Sequence, residues 1–391
     1  MAKNDKKPLI RFKGFTDAWE QRKLKNMGST FTGLSSKAKE DFGHGKAKFI
    51  TYMNVFKNPI SNPNMTENIE IDNRQNQVQY GDIFFTTSSE TPDEVGMSSI
   101  WLENTENTYL NSFCFGYRLY DKNSINLNCI AYLLRSSKAR KNLILLAQGI
   151  SRYNISKTKV MEIDVDIPKD NIEQNKIGNF LIEIDNLITL HQRKYDKLVN
   201  VKKALLDKIF PKNGSKLPEI RFKGFFDAWE QRKLNEMVDY ISSNLTASDA
   251  SKDGNYELYD ANNIIGRTNH EPIKTGYLTI IKDGAVGRIR KMPKNTMFIG
   301  TMGALKPINN SLDFVFSLLT RFSLSNEFSG STIPHIYFKD YGNNIYSVPK
   351  LKEQNKIGDL YCKLDNLITL HQRECDKLKN IKKSLLERMF V

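Results

Sequence analysis

The chain has 391 residues, of which 39% are apolar, enough to build more than one buried core. Lys and Arg number 58 against 44 Asp and Glu, so the formal net charge of +14 favours a polyanionic partner such as nucleic acid, and an acidic membrane surface would also attract it. No apolar segment follows the basic N-terminus, and no stretch approaches the roughly 20 apolar residues of a membrane span. We expect a folded cytoplasmic protein of two or three domains with no membrane partner.

A short segment near the N-terminus occurs twice. RFKGFTDAWEQRKL at residues 11–24 returns as RFKGFFDAWEQRKL at residues 221–234, and the two differ only by Thr16 and Phe226. Internal repeats show how a chain is divided before any secondary structure is assigned. We interpret each copy as the start of one unit of a duplicated protein.

The segments that follow the two openings show little similarity to each other. Both contain short β-branched and aromatic runs separated by Gly, Asn, Asp and Pro, as in VQYGDIFFTTSSETPDEVG at 78–96 and YLTIIKDGAVGRIRKMP at 277–293. This pattern is typical of small mixed α/β domains. We predict buried strands at 81–85 and 278–281, each of which delivers polar or charged residues to a loop.

Side chains at such strand exits, and beside glycine turns, can hydrogen-bond base edges or phosphates. The candidates are Thr86, Thr87, Ser88 and Ser89 after the first strand; Lys282, Asp283, Arg288, Arg290 and Lys291 after the second; Ser151, Arg152 and Tyr153 after one glycine turn; Ser331, Thr332 and His335 after another; and the basic residues Lys46 and Lys48. The basic run KARKN at 138–142 is a further candidate for phosphate contact. The alternative for each is a solvated turn or face, and Tyr153 and His335 could instead pack against the start of the next helix.

Each unit ends in a second repeated segment. Residues 173–210 and 353–390 are about two thirds identical and share the run NLITLHQR. Apolar residues recur at steps of mostly four and three in both copies, which predicts long helices with a heptad seam, and Asp170 with Glu173 predicts a capping box. The seam residues of the first copy are Ile177, Leu181, Ile184, Ile188, His191, Tyr195, Leu198, Val201, Leu205 and Ile209, and those of the second lie 180 positions later.

The two helices are expected to pack on each other in antiparallel orientation. A helix from Ile177 to Ile209 rises about 50 Å, whereas the short linker after it spans at most about 35 Å. In a parallel pair the chain would have to return along the whole first helix before the second helix begins, and the linker is too short for that distance. The predicted fold class is α+β, with two mixed α/β domains separated by two long helices packed as an antiparallel coiled coil, and a pseudo-two-fold internal repeat. The predicted boundaries are 1–172 for the first domain, 173–210 for the first helix, 211–220 for the linker, 221–352 for the second domain and 353–391 for the second helix.

No catalytic residue, metal site or directly bound cofactor is predicted. The sequence contains no G-x-x-x-x-G-K-[ST] loop, no G-x-G-x-x-G and no H-E-x-x-H. The four cysteines have neither zinc-ligand spacing nor the pattern of a disulfide framework. We interpret Asp164 and Asp166 as residues of a surface strand. Two rival classes stay open, a noncatalytic nucleic-acid-binding scaffold with duplicated interaction arms and an enzyme that acts alone on DNA with scattered catalytic residues.

The chain as a whole resembles the specificity subunits of type I restriction-modification systems. The resemblance rests on the two openings, the two dissimilar middles and the two closing helices, which begin near EQNKIG and end near LLDKIF or LLERMF. GDIFFTTSS at 81–89, YLNSFCFGYRLY at 109–120 and MFIGTMGALKPI at 297–308 are similar to stretches of their target-recognition domains. The resemblance implies that each domain reads one half of a bipartite target in double-stranded DNA and that the helical pair sets the gap between the halves.

The resemblance also implies partners. Two modification subunits, which methylate adenine, bind matching faces of the chain, and restriction subunits join them in the full complex. S-adenosylmethionine, Mg²⁺ and ATP are used by those subunits, so this chain is expected to bind none of them directly and to be noncatalytic by itself. The repeated segments would then offer equivalent surfaces to two copies of one partner, while the dissimilar middles read different bases.

Overall fold

The computed structural model describes residues 7–212, 215–283, 286–324 and 334–391. The chain divides into two units, one formed by Met1–His191 with Glu374–Val391 and the other by Gln192–Arg373. Two long helices, Asn171–Ile209 and Leu351–Arg388, each contribute residues to both units, which confirms the helices expected from the closing repeats. The predicted contacts Ser331 and Thr332 lie outside the described residues.

The first unit is built from short strands and helices. Its strands are β1 (Glu20–Lys23), β2 (Gly28–Thr32), β3 (Phe42–Ile50), β4 (Thr66–Ile69), β5 (Ile83–Thr86), β6 (Ser88–Ser89), β7 (Ser98–Ile100), β8 (Thr108–Leu110), β9 (Cys114–Leu119), β10 (Tyr153–Asn154) and β11 (Asp164–Ile167). Its helices are α1 (Tyr52–Lys57), α2 (Leu127–Leu133), α3 (Ser137–Ile144) and α4 (Lys157–Met161), after which the long helix α5 (Asn171–Ile209) begins. A four-stranded sheet has the order β2-β9-β5-β7 and a three-stranded sheet the order β4-β3-β8, while β1 pairs with β11 and β6 with β10.

The second unit repeats this plan with other residues. Its strands are β12 (Glu230–Lys233), β13 (Val238–Ser242), β14 (Tyr256–Tyr259), β15 (Ile264–Thr268), β16 (Tyr277–Ile281), β17 (Ile289–Met292), β18 (Thr296–Phe298), β19 (Met302–Pro307) and β20 (Ile345–Val348). Its helices are α6 (Leu312–Arg321) and α7 (Phe338–Tyr341), after which the long helix α8 (Leu351–Arg388) begins. The four-stranded sheet has the order β13-β19-β16-β17 and the three-stranded sheet the order β15-β14-β18, while β12 pairs with β20.

The two dissimilar middles therefore share one topology. The four strands of each larger sheet are antiparallel and follow the same order along the chain. In each smaller sheet the central strand has one antiparallel and one parallel neighbour. The predicted buried strands are confirmed as β5 and β16, in which every residue is buried. A sheet tolerates such sequence divergence because its fold depends on the alternation and volume of the inward side chains.

The opening repeat holds the start of each long helix. Its strand, β1 or β12, pairs antiparallel with the strand that immediately precedes α5 or α8. Arg11 donates hydrogen bonds to both carboxylate oxygens of Glu173 at 2.6 and 2.9 Å, and Arg221 does the same to Glu353 at 2.7 and 2.8 Å. Both glutamates are buried. The two copies of RFKGF therefore supply equivalent bidentate ion pairs, which are stronger than ordinary hydrogen bonds.

The expected capping box is only half formed. The Asp170 carboxylate accepts a hydrogen bond from the backbone N–H of Ile172 at 2.7 Å, as a helix cap should. Glu173, however, turns to Arg11 and does not return to the helix start. The prediction was wrong for Glu173 because the distant arginine offers a charged partner that the local pattern does not reveal.

The residues after these glutamates fix a second helix against each long helix. The side chain of Gln174 donates to the carbonyl of Pro168 at 2.8 Å and accepts from the N–H of Asn126, the N-cap of α2, at 2.7 Å. Gln354 makes the two equivalent bonds in the second unit, both at 2.9 Å. EQNKIG is therefore a packing motif for the junction between helix and domain.

The glycine of EQNKIG is required by close packing. A Cβ added to Gly178 would lie 2.7 Å from the Cβ of Asn128, and one added to Gly358 would lie 2.8 Å from the Cβ of Asp313. Real Cβ atoms do not approach side chains so closely, and glycine therefore allows α2 and α6 to contact the long helices.

Within each unit the paired segments of the long helices run antiparallel, as expected. In the first unit Asp185 accepts hydrogen bonds from Lys382 at 2.5 and 2.8 Å, while Ile188, further along α5, contacts Cys375, which lies earlier on α8. In the second unit Lys202 donates to Asp365 at 2.5 Å. These are equivalent positions of the closing repeat, so one ion pair is formed twice.

The predicted seam was wrong at one position in each helix. Val201 and Ile381 are 39% and 40% exposed, whereas the side chains of their neighbours Lys202 and Lys382 are 21% and 19% exposed. The cause is the 3.6-residue turn of an α-helix, which drifts about 20° per heptad relative to a strict 3.5-residue repeat. Over three heptads this drift reaches about 60°, more than half of the roughly 100° between neighbouring residues. The lysine that follows the seam position therefore turns inward and pairs with an aspartate on the facing helix.

The second unit contains a small apolar cavity that the first unit fills. It measures about 100 Å³ and is bordered by Leu360, Phe222, Trp229 and neighbouring residues of the two helices. The residue that matches Leu360 in the first unit is Phe180, whose ring packs edge-on against Phe12 with centroids 5.8 Å apart. The leucine therefore leaves a gap where the other copy places a ring.

We expect Leu360→Phe to stabilise the second unit by about 1 kcal/mol, because the added ring fills an existing cavity. Urea unfolding followed by tryptophan fluorescence measures the change, since Trp229 lines the cavity. Phe180→Leu in the first unit is the matched control and should lose a similar amount. An unchanged or lower unfolding midpoint for Leu360→Phe would show that the cavity cannot accept the ring.

Candidate nucleic-acid interface

The structure brings together two of the predicted contact segments of the first unit. Strand β6 follows β5 after one residue and pairs antiparallel with β10, so that Ser89 faces Tyr153 and Ser88 faces Asn154. The loop that carries the second segment is closed by two backbone hydrogen bonds between Gln148 and Asn154. Strand pairing thus joins segments about 60 residues apart in the sequence.

An open cleft of about 720 Å³ lies at this junction. Four of its lining residues were predicted as contacts, namely Ser88, Ser89, Ser151 and Arg152. The others are three aromatic residues, two carboxylates and one methionine: Tyr52, Phe56, Phe113, Glu90, Glu94 and Met53. The cleft therefore combines stacking surfaces with hydrogen-bond donors and acceptors.

Arg152 is held at the edge of this cleft. Its guanidinium carbon lies 5.5 Å from the centroid of the Phe113 ring, and one nitrogen is 3.4 Å from the hydroxyl of Ser88. On the other side, the hydroxyl of Ser89 donates to the carboxylate of Glu94 at 3.2 Å. Neighbouring serines of β6 therefore contact one cationic and one anionic side chain.

The aromatic wall of the cleft is supported by the same strand. The Tyr52 hydroxyl donates to the carbonyl oxygen of Ser88 at 2.8 Å, and the Tyr52 and Phe56 rings are nearly parallel, with centroids 6.0 Å apart. Burial raises the pKa of Tyr52 above its usual value. Its hydroxyl is therefore a hydrogen-bond donor at neutral pH.

Other predicted residues of the first unit lie elsewhere. Thr86 is buried, and its hydroxyl accepts a hydrogen bond from the N–H of Met97 at 2.9 Å. The Thr87 hydroxyl donates to the carbonyl of Phe113 at 2.8 Å. Lys46 and Lys48 are exposed on β3, outside the cleft lining. Thr86 and Thr87 thus support the strand that carries the site, while the two lysines remain candidates for phosphate contact.

The basic run at 138–142 is mostly used inside the fold. Lys138 pairs with Asp166 at 2.7 Å, and Arg140 donates to the carbonyls of Asp93, Val95 and Gly96. Burial lowers the pKa of Arg140 to about 10. Asp166 is only 4% exposed, so its assignment to a surface strand was wrong. Lys138 and Arg140 therefore bind acceptors within the fold, which leaves fewer cations of this run free to contact DNA.

The second unit joins its two predicted segments at the equivalent place. Asp283, just after β16, forms an antiparallel bridge with His335, and the Asp283 carboxylate lies 2.6 Å from Nδ1 of that histidine. The N–H of Ile336 donates to the carbonyl of Lys282 at 3.0 Å. The His335 and Tyr337 rings are stacked, with centroids 6.4 Å apart. Lys282, Asp283 and His335 therefore form one cluster.

The remaining predicted cations of the second unit form separate groups. Arg288 and Arg290 both donate to Asn262, at 3.1 and 3.0 Å, and Arg290 lies over the Tyr259 ring. Lys291, on the opposite face of β17, pairs with Asp313 of α6. The structure therefore does not bring these three residues to the cluster around Asp283.

Sequence reasoning missed the aromatic and acidic part of the first-unit cleft. Tyr52 and Phe56 are one helical turn apart on α1, and Phe113 is 52% exposed. A pair of aromatic residues at i and i+4 is usually read as core, and the position of Phe113 next to β6 depends on pairing between distant strands. The acidic cluster SSETPDE, with Glu90 and Glu94 beside the predicted serines, was the available signal.

Among the described residues, no group of three or more His, Cys, Asp and Glu side chains could hold a metal ion. No helix in the described ranges combines the length and apolar character needed to cross a bilayer.

The chain has two β-rich units of one topology. Each unit carries a polar and aromatic candidate site and is followed by a repeated long helix. These features define a duplicated recognition protein. The family model for the type I restriction modification DNA specificity domain matches residues 16–200 and 227–380. The chain belongs to this family. It is the DNA specificity subunit of a type I restriction-modification system, with two target-recognition domains, and such subunits are noncatalytic.

Individual relatives agree with this assignment. The Methanocaldococcus jannaschii protein assigned as the MjaX type I restriction enzyme specificity subunit is 24% identical over 95% of this chain and 93% of its own length. The MjaVIII specificity subunit of the same organism is 25% identical over 42% of each chain. The crystal structure of the type I restriction-modification S subunit from M. genitalium has the same fold, with a TM-score of 0.69 and 17% identity over 98% of this chain and 99% of that one.

Proposed function

We propose that each unit reads one half of a bipartite sequence in double-stranded DNA through its paired segments. In the first unit these are Ser88–Ser89 and residues 151–153, and in the second they are Lys282–Asp283 and the segment at His335. The observation that supports this is that both units join a strand exit to a distant segment at the same place in one topology. A shared scaffold with different side chains at one place is what reading two different half-sites requires.

The chemistry of the two sites supports different half-sites. The first combines Arg152 and Glu94 with aromatic rings, and the second combines Asp283 and His335 with Tyr337. Because donors and acceptors are arranged differently, the two sites should favour different base edges.

The repeated helices support the rest of the proposal, which is that two modification subunits dock on matching surfaces and that the helices set the gap. Leu187 and Leu367 are both 44% exposed, and Leu190 and Leu370 are 45% and 50% exposed. Equivalent apolar residues are thus exposed in both copies, as two copies of one partner require. Each helix is also uninterrupted over 39 or 38 residues, as an element that sets the gap requires.

The remaining parts of the proposal concern the full complex. Restriction subunits join the modification subunits, and S-adenosylmethionine, Mg²⁺ and ATP bind to those partners. The place of action is the cytoplasm, where the target DNA is found. The net charge of +14 supports a DNA partner, since phosphate contacts give affinity without sequence preference.

A genome-wide map of adenine methylation in the host, with and without this gene, tests the proposal. We expect one split motif to lose methylation when the gene is removed. In a third strain, deletion of one turn from both long helices should abolish methylation at the original gap and shift it to a shorter one, because each residue removed shortens a helix by 1.5 Å.

The control is a strain that carries the unaltered gene on a plasmid, which should restore the original motif. Unchanged methylation in the strain that lacks the gene would contradict the proposal that this chain directs methylation. Methylation that keeps its original gap with shortened helices would contradict only the proposed role of the helices. A preference of the purified complex for single-stranded RNA would favour a scaffold instead.

A further inference from the structure

We infer that Arg152 selects a guanine in the half-site read by the first unit, with Glu94 positioned to accept from the amino group of a paired cytosine. This inference rests on the proposed function and assigns a base to that same site. It is carried by the contacts of a cation and a carboxylate with adjacent serines of one short strand, Arg152 with Ser88 and Glu94 with Ser89.

The mixture of charges in the cleft favours bases over phosphates. Glu90 and Glu94 both line the cleft that Arg152 borders. A phosphate in this cleft would be repelled by two carboxylates, which offsets its attraction to a single guanidinium. A G·C pair, by contrast, presents the acceptors O6 and N7 of guanine and the donor N4 of cytosine in the major groove. That pattern is complementary to an arginine beside a glutamate.

The side chain of Arg152 is exposed at the edge of the cleft, and its position is restricted by a neighbouring ring. Its guanidinium carbon lies 5.5 Å from the centroid of the Phe113 ring, so the ring restricts the position of the fork. Within the described residues its guanidinium forms one hydrogen bond, the long one to Ser88 at 3.4 Å. Because a guanidinium carries five N–H donors, enough remain for a bidentate contact to O6 and N7.

Glu94 is placed by Ser89, whose hydroxyl donates to one of its oxygens at 3.2 Å. An ionised carboxylate has about four acceptor positions, so this bond leaves capacity for an amino group. The second unit has Asp283 and His335 at the equivalent strand junction. Reading of guanine by arginine is therefore expected in the first half-site alone.

The test uses the complex of the full chain with its modification subunit and duplexes that carry the mapped target. Each guanine is replaced in turn by 7-deazaguanine, which lacks the N7 acceptor. For the unaltered complex, replacement of one particular guanine in one half-site should lower the affinity for the duplex by about 10- to 100-fold. Arg152→Ala should show a loss of that order on unmodified DNA and no further loss with the analogue at that position. Arg152→Lys should recover only part of the loss, because an ammonium cannot form the bidentate contact.

Arg74→Ala is the matched control, because Arg74 is an exposed arginine of the same unit that pairs with Asp72; it should bind like the unaltered complex. Equal losses for Arg152→Ala on target and nontarget DNA, or additive losses with the analogue at every guanine, would overturn the inference and assign Arg152 to a phosphate. A loss of affinity on Arg152→Ala for a target that has no G·C pair in either half would also overturn the inference. A complex of unaltered chains that does not distinguish target from nontarget DNA would instead overturn the proposed function itself.

Discussion

Replacement of Arg221 by alanine should destabilise the second unit by about 3 kcal/mol. The change leaves Glu353, which is 1% exposed, without the guanidinium that donates to both of its oxygens. Removal of one partner of a buried ion pair costs about 3–5 kcal/mol, because an uncompensated charge remains in the interior. We place the effect at the lower end, since the arginine side chain is itself 15% exposed. Urea unfolding followed by tryptophan fluorescence measures it.

Two controls separate the ion pair from a general effect of removing a surface cation. Lys350→Ala breaks an exposed pair with Asp227 in the same unit and should leave the unfolding midpoint unchanged. The double variant Arg221→Met with Glu353→Leu should be more stable than Arg221→Ala, because no buried charge is left unpaired. Equal stability of Arg221→Ala and the unaltered chain would show that the pair only orients the helix start.

Arg11→Ala extends this argument to the first unit, where Glu173 takes the same role. Comparable losses in the two units would show that the opening repeat acts mainly through its arginine. This explains in physical terms why a short segment is repeated nearly unchanged. Each long helix must begin at a defined residue on its own domain. Each does so with an equivalent pair of an arginine from the opening repeat and a glutamate from the helix.

The repeats made much of the architecture predictable from the sequence. Helix periodicity is local, so the long helices were found within a few residues of their bounds, and the duplication revealed the two units. The ion pairs of Glu173 and Glu353 were not predictable, since they join residues 162 and 132 positions apart. The shared topology of the middles was hidden for the same reason, because strand order depends on pairing across long loops rather than on local pattern.

The candidate site was predictable to the extent that it follows from strand exits. Ser88 and Arg152 were chosen as residues near strand ends and glycine turns, and strand pairing brings them together. Thr86 was misplaced because a buried strand continues one residue further than its apolar run, and a threonine hydroxyl there can bond the neighbouring backbone. Glu94 was missed because a carboxylate in a basic protein was not expected next to a site for DNA.

The other large effect is expected at the end of α5, where Phe210 lies at the centre of an aromatic cluster. Its ring is 2% exposed, and its centroid lies 5.7 to 6.3 Å from those of Trp229, Phe314, Phe322 and Tyr361. Phe210→Ala should destabilise the second unit by about 3–5 kcal/mol, because a large cavity opens among rigid rings that cannot collapse into it. Chemical denaturation with tryptophan fluorescence measures this loss.

Phe390→Ala is the matched variant, since Phe390 follows the end of α8 and occupies the position of the closing repeat that matches Phe210. Phe390 is 6% exposed, and its ring contacts Trp19 with centroids 6.1 Å apart. We expect a smaller loss in the first unit, because fewer rings lose a partner.

If Phe210→Ala unfolds the second unit alone, methylation of the split motif should become independent of the bases in one half-site, which assigns that half to the second unit. Equal losses for the two variants would show instead that the shared helix end, and not the ring cluster private to one unit, determines the stability of each domain.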